Sequence, residues 1–146
     1  VVTDALATRP VLGICLGLQA LYSFSEEDGG TVGFGIMTGK VRRFPRSHEE
    51  HGRLLKVPHM GWNNVSQVVQ HPLWRGIDDN SRFYFVHSYC AHSTKSMEVV
   101  GKTAYGISFI SATAKSNIFA VQFHPEKSHR QGLTLLRNFI HWDGGT

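Results

Sequence analysis

The chain has 146 residues, 41% hydrophobic and 18% charged, with 15 glycines and five prolines; that is enough for one globular domain, too short for two, and too apolar and aromatic for a disordered segment. Lys plus Arg exceed Asp plus Glu by 15 to 11, a net charge of +4 without a run of five or six basic residues, which excludes a nucleic-acid-binding arm and fits a soluble protein with at most an anionic partner. No stretch approaches 18 consecutive apolar residues, so no membrane span is expected, and two cysteines, Cys15 and Cys90, exclude a disulfide-rich secreted scaffold and fit the reducing cytoplasm.

Residues 1–7 read as part of a helix, with Val1, Val2, Ala5 and Leu6 on one side. No charged-then-apolar leader precedes them, and a chain that opens in mid-helix is expected to continue upstream. Residues 10–14 form a short apolar run of the length of a buried strand. From Leu16 to Tyr22 the pattern is helical, and the turn residues at 25–30 end it. Residues 31–56 alternate glycine, aliphatic and basic types, predicting short strands and loops. Their polar tip at 46–52 is expected to be exposed. It contains His48 and His51, but the H-E-E-H spacing is not H-E-x-x-H, and a solvated tip rather than a metal site is expected there.

Residues 64–69 look like a strand, 71–76 like a turn or short helix, and the aromatic, β-branched stretch at 82–89 like another strand. Three more strands are predicted at 98–103, 107–112 and 117–123, with a turn at Tyr105-Gly106 between the first two. Residues 131–142 close the chain as an amphipathic helix with Leu133, Leu136, Phe139 and Ile140 along one face. This order predicts an α/β domain with a mixed sheet.

Gly13-Ile-Cys-Leu-Gly17 places a nucleophile between two glycines, after an apolar strand and before a helix. That is the layout of a nucleophile elbow, in which flanking glycines allow close backbone approach. The helix would point its N-terminal amides at the Cys15 sulfur and lower its pKa, and the Leu16 amide could donate to a developing oxyanion. A buried structural cysteine at a Gly-rich strand end fits the same spacing. A cysteine nucleophile needs a base and an orienter for it. Gln122-Phe-His-Pro-Glu-Lys127 ends an apolar strand, so His124 would leave the sheet as the chain turns at Pro125, and Glu126 could reach the imidazole. A surface histidine at a strand end is the alternative. Cys90 is expected to be a small buried hydrophobe.

G-I-C-L-G-x-Q followed far downstream by F-H-P-E resembles the class I (triad) glutamine amidotransferases. Val57-Pro-His-Met-Gly-Trp-Asn63, Tyr84-Phe-Val-His-Ser-Tyr89 and His124-Pro-Glu-Lys-Ser128 are similar to the branch of that family that serves imidazole glycerol phosphate synthase in histidine biosynthesis. The resemblance covers nearly the whole chain and implies a flavodoxin-like glutaminase domain. It implies that Cys15 attacks glutamine, that His124 shuttles protons and Glu126 orients it, and that the Leu16 N–H serves the oxyanion. Gly17, Gln19, Glu27, Ser88 and Tyr89 match positions that hold the substrate glutamine. Met60, Trp62, Tyr84 and Lys127 match the face that meets a (β/α)₈-barrel cyclase subunit in a heterodimer, although Trp62 could equally be a core or lid aromatic. No metal or cofactor is implied.

The family's Asp-Tyr-Gly opening and Pro-Gly-x-Gly loop have no counterpart in these 146 residues. The chain is therefore expected to be one glutaminase domain, 1–146, lacking its N-terminal part. The absent loop supplies a second oxyanion donor, an effect of about 2.7–4 kcal/mol. Two alternatives remain: another triad amidotransferase, or a docking subunit that turns over no glutamine.

Overall fold

A computed structural model describes residues 2–145. Helix α1 (Val2–Thr8) leads into strand β1 (Val11–Ile14) and the single-turn helix α2 (Leu16–Gln19). Short strands β2 (Phe24–Ser25), β3 (Thr31–Val32) and β4 (Lys40–Arg43) follow, then the hairpin β5 (Glu49–Glu50) and β6 (Arg53–Leu54). The longer strands are β7 (His59–Gln67), β8 (Ser81–His87), β9 (Tyr89–His92), β10 (Val99–Tyr105), β11 (Ile107–Lys115) and β12 (Ile118–Val121). Helix α3 (His129–Ile140) ends the fold.

Among the described residues, ten strands form one mixed sheet in the order β3-β2-β4-β9-β11-β10-β7-β8. Strand β12 adds to β11 antiparallel, and β1 adds to β12 in parallel with Ile14 opposite Val121. The period-2 alternation of strands then divides the interior. Phe119 and Val121 face one core with Phe83, Phe85, Phe109, Phe123 and the α3 residue Leu135. Ile118 and Ala120 face the other, with Leu6 from α1 and Leu18 from α2. Helices thus cover both faces of the sheet, as the α/β expectation requires.

Several predicted elements differ in extent. The helix expected over 16–22 stops at Gln19, because the carbonyls of Ala20 and Leu21 are taken by the amides of Phe34, Ile36 and Met37 instead of continuing the helical ladder. The strand predicted from residue 64 starts at His59, pairing Trp62 with Tyr84 across to β8. The strand predicted through Tyr89 breaks at Ser88, whose carbonyl accepts from Phe44 N at 3.0 Å; β9 resumes beside β4. At the polar tip, His48 is buried, not solvated: its ring stacks on Phe44 at 5.5 Å and its Nδ1 meets Pro45 O.

The apolar face of α3 also needs correction. Leu135 is fully buried and Phe139 and Trp142 pack beside it, whereas Leu133 and Ile140 are 60% and 77% exposed. Both stripes are apolar at helical spacing, so periodicity alone cannot choose between them. Gly132 makes the choice. A Cβ there would lie 1.8 Å from Pro125 O, so only a glycine lets this side of the helix seat on the 125–127 turn. No helix among the described residues is long and apolar enough to cross a membrane. The helix read at residues 1–7 corresponds to α1; Val1 lies outside the described residues.

Candidate active site

Cys15 sits between β1 and α2 with φ 51° and ψ −105°, a combination that costs a non-glycine residue strain. It is held there from both sides. Its N–H donates to Val121 O at 2.8 Å, and its carbonyl accepts from the amides of Leu18 and Gln19 to start the helix. A Cβ on Gly13 would come within 2.9 Å of Ala120 Cβ and 3.0 Å of the Gly17 backbone, so a glycine is needed where β1 crosses both. Gly17 differs from the expectation of a second close approach. A Cβ there would meet nothing within 4 Å, and the residue faces open space.

The parallel pairing of β1 with β12 puts the strand-end residues Cys15 and Gln122 beside one another. Gln122 Nε2 donates to Cys15 Sγ at 3.7 Å, and the thiol lies 4.0 Å from Val86 O. The expected lowering of the thiol pKa is not what this environment produces. Burial pushes the Cys15 thiol above its ordinary value; the Leu16 amide and Gln122 act in the opposite direction but are outweighed, and the carboxylates of Glu126 and Glu27 push the same way as burial. What α2 contributes is the Leu16 amide, which lowers the thiol but is outweighed by desolvation of the sulfur.

His124 follows β12. Its N–H donates to Tyr84 O at 2.9 Å, and its Nδ1 meets Glu126 Oε1 at 2.7 Å across the turn at Pro125–Lys127. A carboxylate accepts, so Nδ1 carries the proton and Nε2 is left basic. Nε2 is buried and makes no hydrogen bond among the described residues. Ser128, fully buried, locks this turn: Tyr84 N donates to its hydroxyl, which donates to His124 O.

The residues matched to substrate contacts take different places in the fold. Gln19 is buried, its Nε2 donating to Tyr89 O at 3.1 Å and Gln122 Oε1 at 3.0 Å, so its nitrogen is already engaged by protein. Glu27 is half-buried in the 27–29 turn, close enough for its charge to act on Cys15. Ser88 occupies the break between β8 and β9, and Tyr89 supplies the carbonyl just described. Cys90 is buried with its Sγ 3.3 Å from His92 Nε2, and both it and Cys15 are free of disulfide.

Met60 and Trp62 project from one face of β7. Trp62 packs edge-on against Tyr84 at 5.9 Å and stacks on the His129 ring at 4.8 Å, while Met60 is 62% exposed and Lys127 is exposed in the turn after His124. Trp62 is therefore a surface aromatic, not a core one. Two residues with clear roles in this geometry, Gln122 and Ser128, draw no separate expectation although they flank the F-H-P-E segment. The signal for Gln122 is a polar residue inside the apolar run of Val121 and Phe123; Ser128, between Lys127 and His129, carries none.

The class-I glutamine amidotransferase family model matches residues 1–142. An imidazole glycerol phosphate synthase subunit HisH of Pseudomonas putida is 54% identical over 143 residues, covering 98% of this chain and 68% of that protein. The HisH subunit of Nitrosospira multiformis is 57% identical, covering 97% of this chain and 66% of its own length. The chain thus spans about two thirds of the length of these relatives. Among solved structures, a glutamine amidotransferase from Thermotoga maritima aligns with TM-score 0.60 and 19% identity over 96% of this chain and 51% of its own. The glutaminase domain of a Trypanosoma brucei CTPS aligns with TM-score 0.59 and 16% identity over 92% and 61%. Both share the fold.

Proposed function

The chain belongs to the class-I glutamine amidotransferase family, and from that premise we propose that it is the glutaminase of an imidazole glycerol phosphate synthase, releasing ammonia from glutamine for a cyclase subunit. The observation that carries the reading is identity above 50% to HisH subunits over nearly the whole chain. On this reading residues 1–146 form a single glutaminase domain, working in the cytoplasm.

The reaction follows from the site's chemistry. Cys15 passes its proton to His124 Nε2 and attacks the side-chain amide carbon of glutamine. The oxyanion of the tetrahedral intermediate takes the Leu16 N–H. His124 returns the proton to the leaving nitrogen, ammonia departs, and a γ-glutamyl thioester remains on Cys15. Water, deprotonated by the same imidazole, then releases glutamate. Glu126 holds the tautomer that leaves Nε2 basic and stabilises the imidazolium formed in between. A thiol held high by burial is suited to this cycle, since it ionises only as His124 takes its proton.

Gly17, Gln19, Glu27, Ser88 and Tyr89 line the position of the glutamine. Met60, Trp62, Tyr84 and Lys127 form the docking face for a (β/α)₈-barrel cyclase in a heterodimer, with Trp62 as a large anchor. Because Tyr84 O accepts from His124 N, that face is one hydrogen bond from the base. In the cyclase subunit the ammonia closes the imidazole ring, giving imidazole glycerol phosphate and aminoimidazole carboxamide ribonucleotide.

A glutamine-mimicking electrophile provides the test. Stoichiometric labelling confined to Cys15 is expected, and protection by glutamine with it. Absence of labelling in a folded chain that still binds the cyclase would leave a docking subunit in its place.

A further inference from the structure

Gln122 is fully buried, with Nε2 3.7 Å from Cys15 Sγ and Oε1 3.0 Å from Gln19 Nε2. A pair of primary amides can be turned end for end without changing its outline, so its donor direction must be set from outside. The Tyr89 carbonyl sets it. That oxygen can only accept, and it lies 3.1 Å from the terminal nitrogen of Gln19. Gln19 therefore points its nitrogen toward both Tyr89 O and Gln122. This leaves Gln122 one orientation: oxygen toward Gln19, nitrogen toward sulfur.

The same carbonyl orders the groups on its other side. His87 Nδ1 lies 2.7 Å from Tyr89 O and must be the protonated nitrogen. His87 Nε2 then accepts from His59 Nδ1 at 3.0 Å, and His59 Nε2 accepts from Asn63 Nδ2 at 3.2 Å, which also donates to Ala104 O. Burial holds both imidazoles neutral, His59 down to about 3 and His87 to about 4, so none of these directions reverses near neutral pH. Every link from Asn63 to the sulfur has a fixed sense.

We propose that Gln122 is a donor dedicated to the Cys15 sulfur, stabilising the thiolate as it forms, and that Gln19, anchored on the Tyr89 carbonyl, is the positioning residue that keeps it aimed. The assignment rests on the reading of Cys15 as the nucleophile. It adds to Gln19 a role different from holding substrate. Gln122 differs from the Leu16 N–H in that its nitrogen meets only the sulfur, whereas the Leu16 N–H is also required by the oxyanion.

The test is the pH dependence of Cys15 alkylation by iodoacetamide, read on the Cys15 peptide by mass spectrometry, with folding followed by circular dichroism at each pH. Gln122→Met, of similar length but without a donor, is expected to raise the midpoint by about one pH unit, a roughly tenfold slower labelling at pH 7. Gln122→Glu places a carboxylate at the sulfur and is expected to raise it further. Gln19→Met frees Gln122 to turn and is expected to raise it by less than Gln122→Met does. An unmoved midpoint in folded Gln122→Met overturns the proposal; if that variant does not fold, an unmoved midpoint in Gln19→Met does so. Alkylation needs no glutamine. Failure of the glutaminase reading would appear as no labelling by the glutamine-mimicking electrophile, whatever the midpoints show.

Discussion

The imidazole of His124 and the carboxylate of Glu126 meet at 2.7 Å across a single turn, with Pro125 between them buried against α3. Because the contact is local, it forms wherever the turn forms, and the turn is fixed by Ser128 below and Tyr84 beside it. Glu126→Gln keeps the size of the side chain but lets the amide present either end to Nδ1, losing the tautomer and the imidazolium partner. Turnover of glutamine is expected to fall by on the order of 10²–10⁴ with little change in KM. Steady-state glutamate release checks this, and an unchanged kcat would remove Glu126 from its role.

Stability is expected to fall as pH drops from about 6.5 toward 4. Burial lowers His59 to about 3, and His71 and His87 to about 4, so all three stay neutral in the fold while the unfolded chain takes up protons near the ordinary imidazole value. Between those limits the unfolded state binds more protons, and each histidine contributes a slope of up to about 1.4 kcal/mol per pH unit. Urea unfolding at pH 7 and pH 5 measures it. Equal midpoints at the two pH values would show that these rings are solvated.

Trp62→Ala is expected to weaken cyclase binding by about 2 kcal/mol, roughly 30-fold, while leaving glutamine KM within a factor of two. Trp62 is a third exposed and is held ready by its stacking on His129, so its surface is presented without further ordering. Titration calorimetry against the purified cyclase subunit gives the number. Full-strength binding by the variant would return Trp62 to a purely structural role.

Leu135→Ala should cost about 2–5 kcal/mol, because the side chain is fully buried beneath α3. Ile140→Ser, on the exposed stripe, should change stability by less than about 0.5 kcal/mol. Paired denaturant melts separate the two faces of the helix; reversal of the order would mean that α3 is rotated from its position here.

The legible parts of the molecule were those governed by neighbours in sequence. The strand, turn and helix around Cys15 follow from Gly13 and a β-to-α change of period, and the approach of His124 to Glu126 follows from one proline. The order of strands and helices was also sufficient for an α/β sheet. Long-range effects were not readable. The shortening of α2 depends on the distant amides of Phe34, Ile36 and Met37, the buried face of α3 depends on Pro125 reaching Gly132, and His48 is buried by an aromatic cluster assembled from distant strands. The direction of the thiol pKa was missed for a related reason: a helix terminus is visible in sequence, but the desolvation that outweighs it is set by packing. Gln122 could be seen as a residue but not as a donor, since its orientation is decided by the carbonyl of Tyr89 through Gln19.

The most direct measurement is glutamate release from glutamine, with and without the cyclase subunit and its ribonucleotide ligand, for the chain carrying Cys15 and for Cys15→Ala. Turnover that requires Cys15 and rises when the cyclase and its ligand are both present is the expected result, with the variant binding the cyclase undiminished. Turnover in Cys15→Ala at the level of the parent would contradict the account, because it would remove the Cys15 thiol from the role of nucleophile.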